Sequence, residues 1–352
     1  MVRVKQPKKM LIINILDILH KYTDENHRLS QRDIIDILNN EYNMIVDRKS
    51  IRRNLMDLID FGYNIEYSES IRMVRNSKSG ELEESTILTD FYLVRDFTDA
   101  EIRLLIDGLL FSKHIPYSQC RSLVNKLENL SNVHFRSRTK HIMTLPNSAP
   151  ENKQLFYTIE VLDEAITSDK KVAFKYNEYR LDKKIYSRVD DKGNIREYII
   201  NPYQIVAANG RYYLICNYDK YKDVSHYRLD RISDIKLLAS KRKPMKDVVG
   251  LENGLDLPKH MAEHIYMFTG ESERVKFRAQ AHIINEVMDW FGDTAEISST
   301  SDDSFTVIVN VNIKAMLFWA MQFGPYVEVL EPLVLRDQIN DKVVLMNEIY
   351  QK

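Results

Sequence analysis

Apolar residues recur at Leu11, Ile12, Ile15, Leu16 and Leu19, the spacing that gathers them on one face of a helix over residues 9–22. A turn over 23–29 leads to Ser30, an N-cap with Asp33 three residues on. A second helix follows to Tyr42, with Ile34, Ile37 and Leu38 inward. Asp47 caps a third helix, flanked by Val46 and Ile51 at hydrophobic-staple positions, and Gly62 supplies its C-terminal stop after Phe61. Two extended segments, 64–75 and 85–95, surround a polar stretch at 76–80. Three short helices followed by a hairpin predict a winged helix-turn-helix DNA-binding domain over residues 1–96.

The third helix carries candidate chemistry. Ile51, Leu55, Leu58 and Ile59 form its apolar stripe, which leaves Arg48, Lys49, Arg52 and Arg53 pointing outward with Ser50 and Asn54 beside them. A recognition helix presents its first turns to the major groove, where Arg reads guanine edges and Asn reads adenine. A charged face on a surface helix is otherwise simply solvated. Its position, third of three and just before a hairpin, favours DNA. The hairpin tip carries Lys78 but also Glu81, Glu83 and Glu84, and is not expected to grip phosphates.

Further on, residues 98–112 (Ile102, Leu105, Leu109, Leu110) and 117–130 (Leu123, Leu127, Leu130) read as two helices of a connector. Residues 136–151, with Arg136, Arg138, Lys140 and the run Pro146-Asn147-Ser148-Ala149-Pro150, read as a linker. Connector and linker together take residues 97–152. A helix over 153–168, with Phe156, Ile159, Leu162 and Ile166 apolar, precedes strands at 171–176, 197–200, 203–207, 211–217, 225–229 and 232–238. Asp190-Asp191-Lys192-Gly193 and Asn209-Gly210 are turn signals. The order then becomes strand 274–279, helix 283–291, strand 305–311, helix 314–322, strand 327–330 and a final helix. The aromatics Trp290, Phe291, Phe318, Trp319 and Phe323 are expected in its core or at a subunit contact. The fold class is multidomain α+β.

Charge changes this picture. The chain is nearly neutral as a whole, yet residues 170–246 carry 19 Lys and Arg against 9 Asp and Glu, while 247–352 carry 8 against 17. A basic module in a neutral chain suits a polyanionic ligand; attraction between the two modules is the other reading. Cys120 and Cys216 lie far apart and read as buried, reduced residues of a cytoplasmic protein. The chain shows no Gly-rich phosphate loop, HExxH, GxSxG or paired-cysteine spacing, and its nine histidines are scattered. No catalysis, cofactor or metal is expected.

Asn201-Pro202-Tyr203, Tyr212-Tyr213-Leu214 and His226-Tyr227-Arg228-Leu229-Asp230-Arg231-Ile232 alternate aromatics with cations along three short strands. Such a surface stacks on bases and neutralises phosphates. The stretch resembles the core of the WYL-domain family, with Tyr212 in place of Trp and His226 where many relatives have Arg. The match covers about residues 153–246. The resemblance implies a small barrel like the Sm fold, followed over 259–352 by a ferredoxin-like extension expected to carry a dimer contact. It also implies a pocket that senses single-stranded nucleic acid or a nucleotide. Period-two alternation puts Tyr227 and Leu229 on a core face and His226, Arg228 and Asp230 outward. Arg228 would then hold a phosphate, His226 would add a donor titrating near neutrality, and Tyr213 would stack on a base, with Tyr176 and Tyr203 as secondary candidates. The implied function is a ligand-responsive bacterial transcriptional regulator, a homodimer on duplex DNA with no membrane partner. An accessory single-strand-binding modulator of a nucleic-acid defence effector is the alternative.

Overall fold

The computed structural model describes residues 7–75, 82–112, 115–139, 154–301 and 303–351. The hairpin tip with Lys78 and Glu81, and the linker run Pro146–Pro150 with Lys140, lie outside the described residues, as do the side chains of Glu83 and Arg138. Among the described residues the chain divides into two compact units, one of residues 7–111 and 117–139 and the other of residues 112, 115–116 and 154 onward.

In the first unit a 3-10 turn leads into α1 (Leu11–Tyr22), followed by α2 (Gln31–Tyr42) and α3 (Arg48–Phe61). Their ends are where side-chain chemistry puts them. Ser30 and Asp33 form a reciprocal capping box, and the Asp47 carboxylate accepts from the Ser50 N–H. Gly62 closes α3 at φ 112°, a conformation a side chain would strain. The antiparallel hairpin of β1 (Ile65–Arg75) and β2 (Leu82–Leu93) starts its second strand three residues earlier than the pattern predicts. Ile15, Ile18, Leu19, Ile34, Leu38, Ile51, Leu55 and Phe91 are fully buried at the centre.

Three helices complete this unit: α4 (Asp99–Phe111), α5 (Tyr117–Glu128) and α6 (Val133–Thr139). α6 occupies part of the stretch expected to be a linker. The α4 stripe is also displaced: Ile106 is buried with Ile102, whereas Leu105 is exposed, as is Leu130 beyond α5. These helices join the first three through one polar knot. Arg95 donates to the carbonyls of His20 and Thr23 and to the Ser131 hydroxyl, and Asn132 donates to Asp24 and Thr23.

The second unit opens with α7 (Leu155–Thr167). Leu155, Thr158, Val161, Leu162 and Ala165 turn inward, so its buried stripe is offset from the expected one and Phe156 is exposed. A bent antiparallel sheet follows: β3 (Lys170–Tyr179), β4 (Ile185–Ser187), β5 (Glu197–Ala208), β6 (Arg211–Asn217), β7 (Ser225–Arg228) and β8 (Ile232–Lys241). The two strands expected at 197–207 are one strand with a bulge after Pro202. The strands run β8-β3-β5-β6-β7, with β4 beside the end of β3. A 3-10 turn, Leu229–Arg231, links β7 to β8, but no ladder joins them. The sheet is therefore open and not the closed barrel that the resemblance implies.

After α8 (Leu257–Glu263) come β9 (Ser272–Gln280), α9 (Ile284–Phe291), β10 (Glu296–Ser301), β11 (Ser304–Asn312), α10 (Ile313–Gln322), β12 (Val327–Glu331) and α11 (Leu333–Tyr350). β10, missed by the pattern, is an edge strand of serines and threonine beside β11 in the order β10-β11-β9-β12. Trp319 is fully buried between Phe277, Phe291 and Phe323, whereas Phe318 is exposed. No helix among the described residues is long and apolar enough to cross a membrane. Trp319→Ala is expected to cost the second unit about 3–5 kcal/mol. Urea unfolding should show its transition moving while that of the first unit holds.

Candidate nucleic-acid interfaces

Helix α3 presents Arg48, Lys49, Arg52 and Arg53 to solvent, because Ile51, Leu55 and Leu58 take the opposite face into the core. The two polar residues between them are used locally. The Ser50 hydroxyl donates to Asp47 within the cap, and the Asn54 amide donates to the Ser50 carbonyl at 2.7 Å. Arg48 is held as well: its Nε donates to Gln31 Oε1 at 2.9 Å, and the buried Gln31 amide donates to the Leu88 carbonyl of β2 at 3.0 Å. The result is an exposed cationic row whose first member, Arg48, is tied to the second helix and through Gln31 to the hairpin.

On the sheet of the second unit the alternation is right and Leu229 is buried as expected, but the face read as outward is covered as well. β6 and β7 pair with Tyr213 opposite Arg228 and Ile215 opposite His226, so these four share a face. That face is covered, not open. Val248, Leu251 and Met267 from the segment after β8 pack there with Tyr203, Val206, Ile215 and Val224. Tyr203 is 1% exposed, and its hydroxyl donates to the Lys243 carbonyl; it is a core residue and not a ligand contact. His226 is also a correction. Its Nε2 lies 2.8 Å from Nε2 of His260, and burial, then the charges of His264 and His260, pushes its pKa down to about 2. It is not the titrating outward donor that the alternation suggests.

Arg228 keeps its place beside Tyr176 and Tyr213, since its backbone N–H donates to the Tyr176 hydroxyl at 3.2 Å. Its guanidinium, however, is bidentate on Asp230, at 3.0 and 2.5 Å. Burial opposes the charge of Arg228, but Asp230 offsets this and raises its pKa above the ordinary value. Asp230, which alternation turns outward, is the partner of Arg228 itself, with a fully buried side chain.

The other face carries the aromatics. Phe174, Tyr176, Tyr198 and Tyr227 form one cluster, with Tyr227 edge-on to Tyr176 at 4.9 Å and to Phe174 at 5.4 Å. Tyr218 and Tyr221 extend it. Arg196 lies over Tyr198 at 4.5 Å and near Tyr218, and Arg188 lies over Tyr176 at 5.2 Å while pairing with Glu178. Tyr227, assigned to the core by alternation, is half-buried among them. Arg188, Arg196, Tyr198 and Tyr218 are the residues that sequence reasoning passes over. Their signal is the Arg-Glu-Tyr at 196–198, just ahead of Asn201-Pro202-Tyr203. The ion pairs of this basic stretch are local, running to Asp169, Glu178, Asp219, Asp230 and Asp234.

The pairing of Arg228 with Asp230 has a measurable cost when broken. Arg228→Ala removes the bidentate partner of a buried carboxylate and is expected to lose about 3–5 kcal/mol of stability. Arg228→Ala combined with Asp230→Ala should recover much of that loss in chemical denaturation.

Residues 157–237 match the WYL domain, and residues 271–345 match the WCX domain. No curated protein matches the chain. Among solved structures it is similar to proteasome accessory factor B/C (PafBC) of Arthrobacter aurescens, with 15% identity over 95% of this chain and 48% of that one, at a TM-score of 0.28. The chain thus spans about half the length of that protein. A CRISPR Cas-related protein is similar at 14% identity, over 97% of this chain and 85% of that one, at a TM-score of 0.37. The chain therefore carries a WYL domain followed by a WCX domain.

Proposed function

We propose that the chain is a ligand-responsive DNA-binding regulator of bacterial type, in which α1–α3 and the β1–β2 hairpin work as a winged helix-turn-helix. The observation that carries this reading is the exposed row Arg48, Lys49, Arg52 and Arg53 on the first two turns of α3. Such a row meets phosphates and guanine edges when the helix enters a major groove.

The sensor in this reading is the tyrosine–arginine surface of the WYL sheet. Only its rim is accessible: Tyr218 and Tyr227 are part-exposed, and Arg188 and Arg196 lay cations over the buried rings of Tyr176 and Tyr198. Bases stack on such surfaces and phosphates pair with the guanidinium groups, which suits single-stranded nucleic acid or a nucleotide. A homodimer is supported by α11, where Val343, Val344, Met346, Ile349 and Tyr350 are all exposed. A face that apolar is suited to another copy of the same helix.

Binding of the full chain to duplex and single-stranded oligonucleotides across a salt series tests both sites. Arg52→Ala with Arg53→Ala should abolish specific duplex binding and reduce the salt slope by roughly 0.9 for each phosphate no longer neutralised. Arg188→Ala with Arg196→Ala should weaken single-strand binding about fivefold or more, flatten its salt dependence, and leave duplex binding intact. Unchanged duplex binding in the α3 variant would remove the regulator reading and leave a single-strand-binding module.

A further inference from the structure

Three of the nine histidines, far apart in sequence, meet in the second unit. His226 stands on β7. His260 and His264 are four residues apart at the end of α8, a spacing that puts both on one side of the helix. The helix begins where Asp256 accepts from the Lys259 N–H and Pro258 fills its first turn. The His260 and His264 rings stack at 4.2 Å, and the His226 ring lies 5.1 Å from each. A ring nitrogen from each histidine lies within 4.8 Å of the other two.

We propose that His226, His260 and His264 form a binding site for one divalent transition-metal ion of the zinc type, which fastens α8 to strand β7. The nitrogens are close to the spacing such an ion needs. Zinc–nitrogen bonds of about 2.0–2.1 Å put two ligands of a tetrahedron roughly 3.3 Å apart. His226 Nε2 and His260 Nε2 are 2.8 Å apart and one nitrogen of each histidine lies within 4.8 Å of the others, so ring rotations of this order complete the site. Burial disfavours the charged form of all three imidazoles, and the neutral ring is the form that offers a lone pair. His264 Nδ1 lies 3.0 Å from the His260 carbonyl, an outer contact of the kind that orients a ligating ring. A donor set of imidazoles alone selects zinc, copper, nickel or cobalt over magnesium and calcium.

The surroundings supply a route and a fourth ligand. A cleft of about 570 Å³ reaches His260 and His264 and is lined by the carboxylates of Asp223, Glu252, Asp256, Glu263 and Glu271 together with Lys259. Its negative charge favours entry of a cation, and water or a carboxylate from the cleft can complete the coordination. The competing account is a packed histidine pair sharing one proton between His226 and His260, with no metal at all.

The test uses the full chain, stripped with a chelator and titrated with zinc alone, with bound metal measured after gel filtration. Wild type should take up one ion per chain, and cobalt in place of zinc should give the visible absorption of a tetrahedral nitrogen site. His260→Gln and His264→Gln should weaken uptake by more than the roughly 10–100-fold typical of losing an outer-shell partner. Zinc should raise the melting temperature of wild type and not of either variant. No uptake by wild type overturns the proposal, as does wild-type uptake by both variants. If a glutamine variant fails to fold, the cobalt spectrum of wild type decides alone: its absence overturns the site. Oligonucleotide binding plays no part in this readout.

Discussion

The arrangement of the second unit depends on where the chain goes after β8, and one buried asparagine fixes that. Asn201 is fully buried; its amide donates to Asp219 at 2.7 Å, and its carbonyl oxygen accepts from the Lys243 N–H at 2.8 Å. Arg242 donates to the Pro202 carbonyl and lies over the Tyr203 ring, whose hydroxyl in turn donates to Lys243. These bonds pin the segment leaving β8 to the middle of β5. From there the following residues pass across one face of β5, β6 and β7 and bury it. The opposite face packs its own aromatic cluster, with Phe174, Tyr176 and Tyr198 buried and Tyr218 and Tyr227 part-exposed at its rim. An unpaired buried amide costs on the order of 1–3 kcal/mol, so the route is enforced locally and not left to general hydrophobic contact.

Much of this is legible in the sequence because it rests on local rules. The capping box at Ser30 and Asp33, the cap at Asp47 and the stop at Gly62 are short-range chemistry, and the first three helices follow them. The cationic row of α3 follows from helical periodicity alone. The resemblance carried by Tyr212-Tyr213-Leu214 and the strand around Arg228 locates the WYL domain, and the family match covers the same stretch.

What stays hidden depends on tertiary cover. Period-two alternation separates two faces of a strand but does not say which one another segment will bury. Tyr203 and His226 are misplaced for that reason. β10 is missed because a run of serines and threonine has no apolar alternation to betray an edge strand. The offset stripes of α4 and α7 arise because an apolar-rich helix offers more than one candidate face, and Ile106 and Val161 are won by partners distant in sequence. The closure of the sheet fails for a geometric reason: β7 ends in a 3-10 turn before β8 can pair with it.

Gln31 has a consequence for how α3 meets a partner. A surface arginine ordinarily samples many rotamers, and holding one still costs up to about 2 kcal/mol of entropy. Arg48 loses much of that freedom on folding, because Gln31 accepts from it while donating to the hairpin strand. Its guanidinium is therefore oriented before any ligand arrives, with a heading set by the hairpin as much as by its own helix. A small shift of β2 would re-aim Arg48 without unwinding a single turn of α3.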